Sequence, residues 1–186
     1  MVSITKMSST QTLTKANPAS FEPTKAVGLI SDTHVPKKAS SIPQRVFEIF
    51  QNVDFIIHAG DLVELSVIDD LEQVAPVLAV HGSMDSAEAT NALPVLNSLK
   101  IFGWKIGVMH DPEASNAPHK MVSIAKENGF NVFVHGRTHS PRVKWEGEIL
   151  YVNPGSPTDP ASILKKPSVG LLQVTKNAIA PQIINL

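Results

Sequence analysis

The chain is punctuated by short apolar runs that stop at the same few polar residues, and this rhythm limits its fold more than any other feature. VGLIS (27–31) runs into Asp32-Thr33-His34, and DFIIHA (54–59) into Gly60-Asp61. VLAVH (77–81) runs into Gly82-Ser83-Met84-Asp85, KIGVM (105–109) into His110-Asp111-Pro112, and NVFVH (131–135) into Gly136-Arg137-Thr138-His139. Apolar runs of this length bounded by Gly, Pro and Asp predict strands buried on both faces. The stretches between them read as helices. Residues 42–51 place Val46, Ile49 and Phe50 on one face, with Ser41 as candidate N-cap and Pro43 in the first turn. Residues 64–73 and 118–128, the latter closed by Gly129, follow the same pattern.

Beyond Arg142 the rhythm changes. RVKWEGEILYVNPGS carries Glu146-Gly147-Glu148 as a hairpin turn, and VGLLQVT and AIAPQII follow as strands with no helix between them. The expectation is an α/β protein: a βαβ front half with right-handed crossovers and a mostly parallel sheet, joined to a meander that forms a second sheet packed on the first. Residues 1–25, rich in Ser, Thr and Lys and without periodicity, read as a mobile tail ahead of a single domain at 26–186.

Composition narrows the partners. No apolar run approaches the roughly 18 residues of a membrane span, and a net charge of −1 creates no general field for polyanions. A membrane or nucleic-acid partner is therefore not expected, and no glycine-rich phosphate loop follows a strand. With no cysteine, any metal must be held by His, Asp, Glu or Asn, and a cytoplasmic location is expected. A homo-oligomer is left open.

In open α/β sheets ligands bind past the carboxyl ends of the strands. There this chain carries Asp32, His34, Asp61, Asp85, His110 and His139. Carboxylates gathered at one edge repel by about 4 kcal/mol per pair at 4 Å unless protons or a cation neutralise them. Interspersed imidazoles favour a transition-type cation over calcium. His58 and His81, inside the strand runs, read as core histidines, and His119 as an exposed helix residue. Lys37-Lys38 and Lys165-Lys166 read as solvated loop charges, with contact to an anionic substrate as the alternative.

The ordered set Asp-x-His, Gly-Asp, Gly-x-x-Asp, His and Gly-x-Thr-His, each after its own apolar run, resembles the calcineurin-like metallophosphoesterase superfamily. The resemblance is strongest to its small YfcE-type phosphodiesterase branch, related to the phosphoesterase-like subunit of retromer. It runs from about Val27 to Pro160 and includes Asn153-Pro154-Gly155-Ser156. It implies a four-layer αββα sandwich, one or two divalent ions, and hydrolysis of phosphodiesters or monoesters by a metal-activated hydroxide. Manganese is the first choice of ion, with zinc, iron, nickel or magnesium as alternatives.

Carried over, Asp32, His34, Asp61 and His139 match the ligands of the first ion, with Asp61 bridging, and His110 a ligand of the second. Two positions depart: Ser83 stands where the family has Asn, a weak ligand at best, and Arg137 where it has His. A guanidinium offers a metal no lone pair, although its fork suits phosphate oxygens. Arg137 is thus either a phosphate clamp in the site or a solvent-facing replacement. Gly136 is expected to let the backbone turn so that His139 reaches the ion, and Asp85 to orient His110. Met84 occupies a position where some relatives carry a proton-donating histidine. The resemblance therefore implies a small phosphate-ester substrate with a good leaving group and reduced activity, or else a catalytically quiet scaffold for protein–protein interaction.

Overall fold

The computed structural model describes residues 23–112 and 120–186, so most of the expected tail and His119 lie outside the described residues. The first strand, β1 (Lys25–Ile30), begins one residue ahead of the expected domain boundary. It is followed by α1 (Gln44–Phe50), β2 (Phe55–His58), α2 (Ser66–Glu72), β3 (Val77–Ala79) and α3 (Ala87–Ala92). Next come β4 (Leu96–Ile101), β5 (Trp104–Met109), α4 (Lys120–Glu127), β6 (Val132–Val134), β7 (Arg142–Glu146), β8 (Ile149–Asn153), β9 (Ser168–Val174) and β10 (Ile179–Asn185).

These strands form two mixed five-stranded sheets, ordered β10-β9-β1-β2-β3 and β4-β5-β6-β8-β7. Within the first, β1, β2 and β3 are parallel and β9 and β10 antiparallel; within the second, β5, β6 and β8 are parallel. The expected division into a parallel front sheet and a meander sheet needs correction. β9 and β10 return to flank β1, while β4 to β6 leave the front half to build the second sheet. β9 is buried along most of its length: Leu172 and Val174 face the core between the sheets and Val169 the core under the helices, while the free edge of β1 supplies its backbone partners.

Strand alternation sorts the core into layers. Val27 and Leu29 of β1, Ile57 of β2, and Val132 and Val134 of β6 meet between the sheets with Ile106, Val108, Leu150 and Leu172. Ile30 and Ile56 point the other way, onto Val46 and Phe50 of α1 and Val67 and Leu71 of α2. Phe133 packs with Tyr151, Phe130 and Ala125 of α4 on the opposite outer face. The result is the four-layer αββα arrangement.

Smaller differences have local causes. Helix α1 starts from Pro43, and no side-chain cap hydrogen bond is made, so Ser41 is not its cap. His58 closes β2, and His81 lies beyond the end of β3 rather than within it. Among the described residues, no helix is long and apolar enough to cross a membrane.

Candidate metal centre

The parallel strands of both sheets end on the same side of the sandwich, and the polar residues at those ends converge from the two sheets rather than from one sheet edge. Hydrogen bonds tie the strand ends together within each sheet, and the Arg137 N–H ties the second sheet to Asp32 of the first. Gly136 N–H donates to the His110 carbonyl (3.0 Å), Arg137 N–H lies 3.2 Å from both carboxylate oxygens of Asp32, and Asp32 N–H donates to the Gly60 carbonyl (3.0 Å). The backbone is bent hard to achieve this. Asp32, His34, Asp61, Arg137 and His139 all have φ between 46° and 76°, and Val63 reaches 84°. Left-handed φ is uncommon for residues with a Cβ and gathers at functional sites, where surrounding contacts hold it in place.

The donors fall into two groups within ligand distance of one another, Asp32–His34–His139 and Asp32–Asp61–His110. Asp32, rather than Asp61, is common to both. His139 Nε2 lies 3.3 Å from Asp32 Oδ1 and 3.2 Å from His34 Nε2. His110 Nε2 lies 3.1 Å from Asp61 Oδ2 and 3.9 Å from Asp32 Oδ1, fully enclosed yet with no aligned hydrogen-bond partner.

The far sides of the rings fix their tautomers. His110 Nδ1 donates to the Ala59 carbonyl at 2.8 Å and His139 Nδ1 to the Asp159 carbonyl at 2.6 Å. A carbonyl only accepts, so in each neutral ring Nε2 carries the lone pair, and both lone pairs face the carboxylates. Backbone acceptors behind metal-binding imidazoles serve this purpose. Buried carboxylates, inward lone pairs and the orphaned His110 nitrogen fit a divalent cation.

The titration behaviour agrees. Burial works against a charged His110, but the Asp61 and Asp32 carboxylates outweigh it and raise its pKa. Asp32 raises that of His139 against the effect of burial. Burial lowers the pKa of His34. Burial would raise Asp61, yet His110, the Met84 N–H and His34 hold it below the ordinary carboxylate range. The pocket calls for positive charge.

Other expected residues take different places. Asp85 makes no hydrogen bond to His110; its carboxylate accepts from the N–H groups of Val63 (2.6 Å), Gly82 (2.7 Å) and Asp61 (3.2 Å), pinning the turn that carries Asp61. Gly136 is needed for close approach rather than for turning. A Cβ there would sit 2.0 Å from Ser31 Oγ and 2.7 Å from Asp32 Oδ2, while the left-handed φ belongs to Arg137. Ser83 is exposed and lines the mouth of the site. The Arg137 side chain, 60% exposed, stands at the rim with Nε 3.4 Å from Asp111 Oδ2, neither inserted among the donors nor turned away from the cavities it borders. His135 lines a neighbouring cavity and belongs to neither donor group.

The Asn153-Pro154-Gly155-Ser156 motif lies behind the site, as the resemblance implies, whereas the bonds it makes and the parts of Thr158 and Asp159 were not read from the sequence. Ser156 Oγ donates to the Asp32 carbonyl (2.7 Å) and accepts from Asp159 N–H (2.8 Å), and Thr158 Oγ1 donates to the Thr33 carbonyl (2.6 Å). Asn153 Nδ2 donates to the Gly136 carbonyl at 2.8 Å. The Ser-x-Thr-Asp spacing after Gly155 is a side-chain-to-backbone turn pattern that could have signalled this.

Comparison with known proteins gives the same picture. Residues 26–177 match the family model described as the calcineurin-like phosphoesterase superfamily domain. A probable metallophosphoesterase of Methanothermobacter thermautotrophicus is 35% identical over 159 residues, covering 85% of this chain and 91% of its own. Another from Methanocaldococcus jannaschii is 40% identical over 146 residues, covering 76% of this chain and 73% of its own. Among solved structures, vacuolar protein sorting 29 from Cryptosporidium parvum superposes with a TM-score of 0.77 at 24% identity, over 88% of this chain and 92% of that one, a likeness of fold.

Proposed function

The chain belongs to the calcineurin-like phosphoesterase superfamily, and from that premise we propose that it is a metal-dependent hydrolase of phosphate esters, diesters first, with lower turnover than a relative holding a full two-ion site. The observation that carries this reading is the buried convergence of Asp32, His34, Asp61, His110 and His139 with inward-facing lone pairs. Asp32, His34 and His139 would hold one divalent ion, manganese by preference, and Asp32, Asp61 and His110 would surround a second position. A divalent cation bound there supplies Lewis acidity, polarising phosphoryl oxygens and acidifying water.

The chain's own groups do the rest. Lys37, Lys38 and Arg137 border the same cavity as His34, Asp61 and His139, so an anionic ester meets positive charge at the mouth. Arg137 can exchange its rim contact with Asp111 for a forked contact to phosphate oxygens. Asp159 keeps the His139 lone pair turned inward. Ser83 and Arg137 leave the second position short of strong donors, and Met84 at the mouth offers no proton, which favours substrates with good leaving groups. We place the protein in the cytoplasm, in keeping with its lack of cysteine.

Hydrolysis of bis-p-nitrophenyl phosphate with added manganese, compared between wild type and Asp61→Ala, tests this. A wild-type rate well above the variant's supports the hydrolase, and equal background rates sink it. A second reading, a phosphoesterase-like scaffold, is favoured by β7, an edge strand exposed along its whole length that carries Val143 and Trp145. It becomes the better account if both rates are at background.

A further inference from the structure

Three cavities meet at the candidate centre, and they differ in chemistry. One, of about 310 Å³, holds His34, Asp61 and His139 together with Lys37, Lys38 and Arg137. A second, of about 270 Å³, includes Asp111, Met121, His135 and Arg137. The third, of about 260 Å³, is lined by His81, Ser83, Val95, Met109, His110 and Asp111, and its walls are largely apolar. It shares Ser83 with the first cavity, and His110, whose enclosed Nε2 belongs to the donor set, forms part of its wall. A molecule whose phosphoryl group lay in the first cavity can place one ester arm past Ser83 into it.

Val95 is 53% exposed just ahead of β4, an apolar side chain beside a site otherwise built of charge. Met109, at the end of β5, offers a thioether suited to the edge of an aromatic ring. Asp111 at the border disfavours a second anionic group. The cavity lies just under the about 300 Å³ at which pockets for whole drug-sized ligands begin, the right scale for a single ring system.

We propose that this cavity is a subsite for an uncharged aromatic ester group, so that the substrate is a phosphate ester carrying one aryl-type arm seated between Val95, Met109 and the His81 ring. The assignment rests on the phosphoesterase reading above and adds the class of group that is recognised. Val95 is its specificity-determining residue; it touches the arm and takes no part in the chemistry.

Calorimetric binding of phenylphosphonate and methylphosphonate to the manganese-loaded full chain tests it, because the two probes share the anionic head and differ in the ring. Wild type should bind phenylphosphonate about tenfold more tightly, as expected for burying much of one ring face. Val95→Asp should bring the ratio close to one; its added charge acts on both heads alike and cancels in the ratio. Val95→Thr, of the same shape, should lower the ratio in the same direction by less. If methylphosphonate binds and the ring adds nothing, or if the ratio survives both substitutions, the subsite is wrong while the phosphoesterase reading stands. If neither probe binds, the phosphate site itself fails and the subsite falls with it.

Discussion

His34 Nε2 and His139 Nε2 face each other at 3.2 Å although 105 residues separate them in the chain. His139 is held from behind by the Asp159 carbonyl and has Asp32 Oδ1 3.3 Å away. Two imidazole nitrogens this close repel if both carry a proton and also if both present lone pairs, so the arrangement is stable only with one shared proton or a cation between them. The left-handed backbone at His34 (φ 46°) and His139 (φ 51°) shows that local conformational preference has been overridden to bring them together.

Gly136→Ala tests how closely the two sheets must approach. The new Cβ would meet Ser31 Oγ and Asp32 Oδ2, forcing the loop that carries Arg137 and His139 away from Asp32. We expect metal affinity to fall at least tenfold, with stability reduced by about 1–3 kcal/mol from overpacking. Metal titration alongside urea unfolding separates the two effects, and unchanged affinity would show that the approach is not needed.

Ser156→Ala probes the support behind Asp32. Ser156 is fully buried and links the Asp32 carbonyl to the N–H of Asp159, whose carbonyl orients His139. Its loss should cost about 1–3 kcal/mol, since buried partners are left unpaired, and about tenfold or more in metal affinity, as for other groups that orient ligands. Denaturation and metal titration of the variant give both numbers.

His58 should make stability depend on pH. It is fully buried, accepts a hydrogen bond from Gly60 N–H at Nδ1, and lies 3.0 Å from Thr33 Oγ1 through Nε2. Burial, opposed by Asp85 and Asp32, pushes its pKa down to about 4. Between the ordinary value of 6.5 and about 4 the unfolded chain takes up a proton that the folded chain refuses, so stability falls as pH drops through that window. The loss from this one group approaches about 3 kcal/mol at pH 4. His58→Gln cannot titrate, so urea unfolding over this range should give it a shallower decline than wild type. The remaining groups contribute alike to both proteins.

Ser83→Asn combined with Arg137→His supplies two strong donors at the positions that lack them. The double variant should bind more metal per chain than wild type and hydrolyse bis-p-nitrophenyl phosphate faster. Metal analysis showing no gain in stoichiometry would remove these two positions from the account.

The strand-end residues were legible because buried parallel strands leave an unmistakable apolar run followed by its polar stop, as at Ile30 to Asp32 and Ala59 to Asp61. The sorting of strands into sheets was not legible. Nothing in VGLLQVT says whether it will pair with β1 or extend the second sheet, since its residues are apolar enough for either. Strand β4 (LNSLKI) alternates weakly and α3 (AEATNA) is only six residues long, so neither rises above the loop background without its tertiary contacts. The role of Asp85 depends on the N–H groups of Asp61 and Val63, and that of Gly136 on the side chains of Ser31 and Asp32, all from distant segments, which no local pattern encodes.

Manganese binding to the full chain at equilibrium, measured for wild type and for Asp32→Asn, tests the central claim most directly, because Asp32 is the one carboxylate common to both donor groups. The account predicts at least one ion per wild-type chain and a loss of binding of 100-fold or more, order of magnitude, in the variant. A wild-type chain that binds no divalent ion, or an Asp32→Asn chain that binds as tightly as wild type, would contradict it.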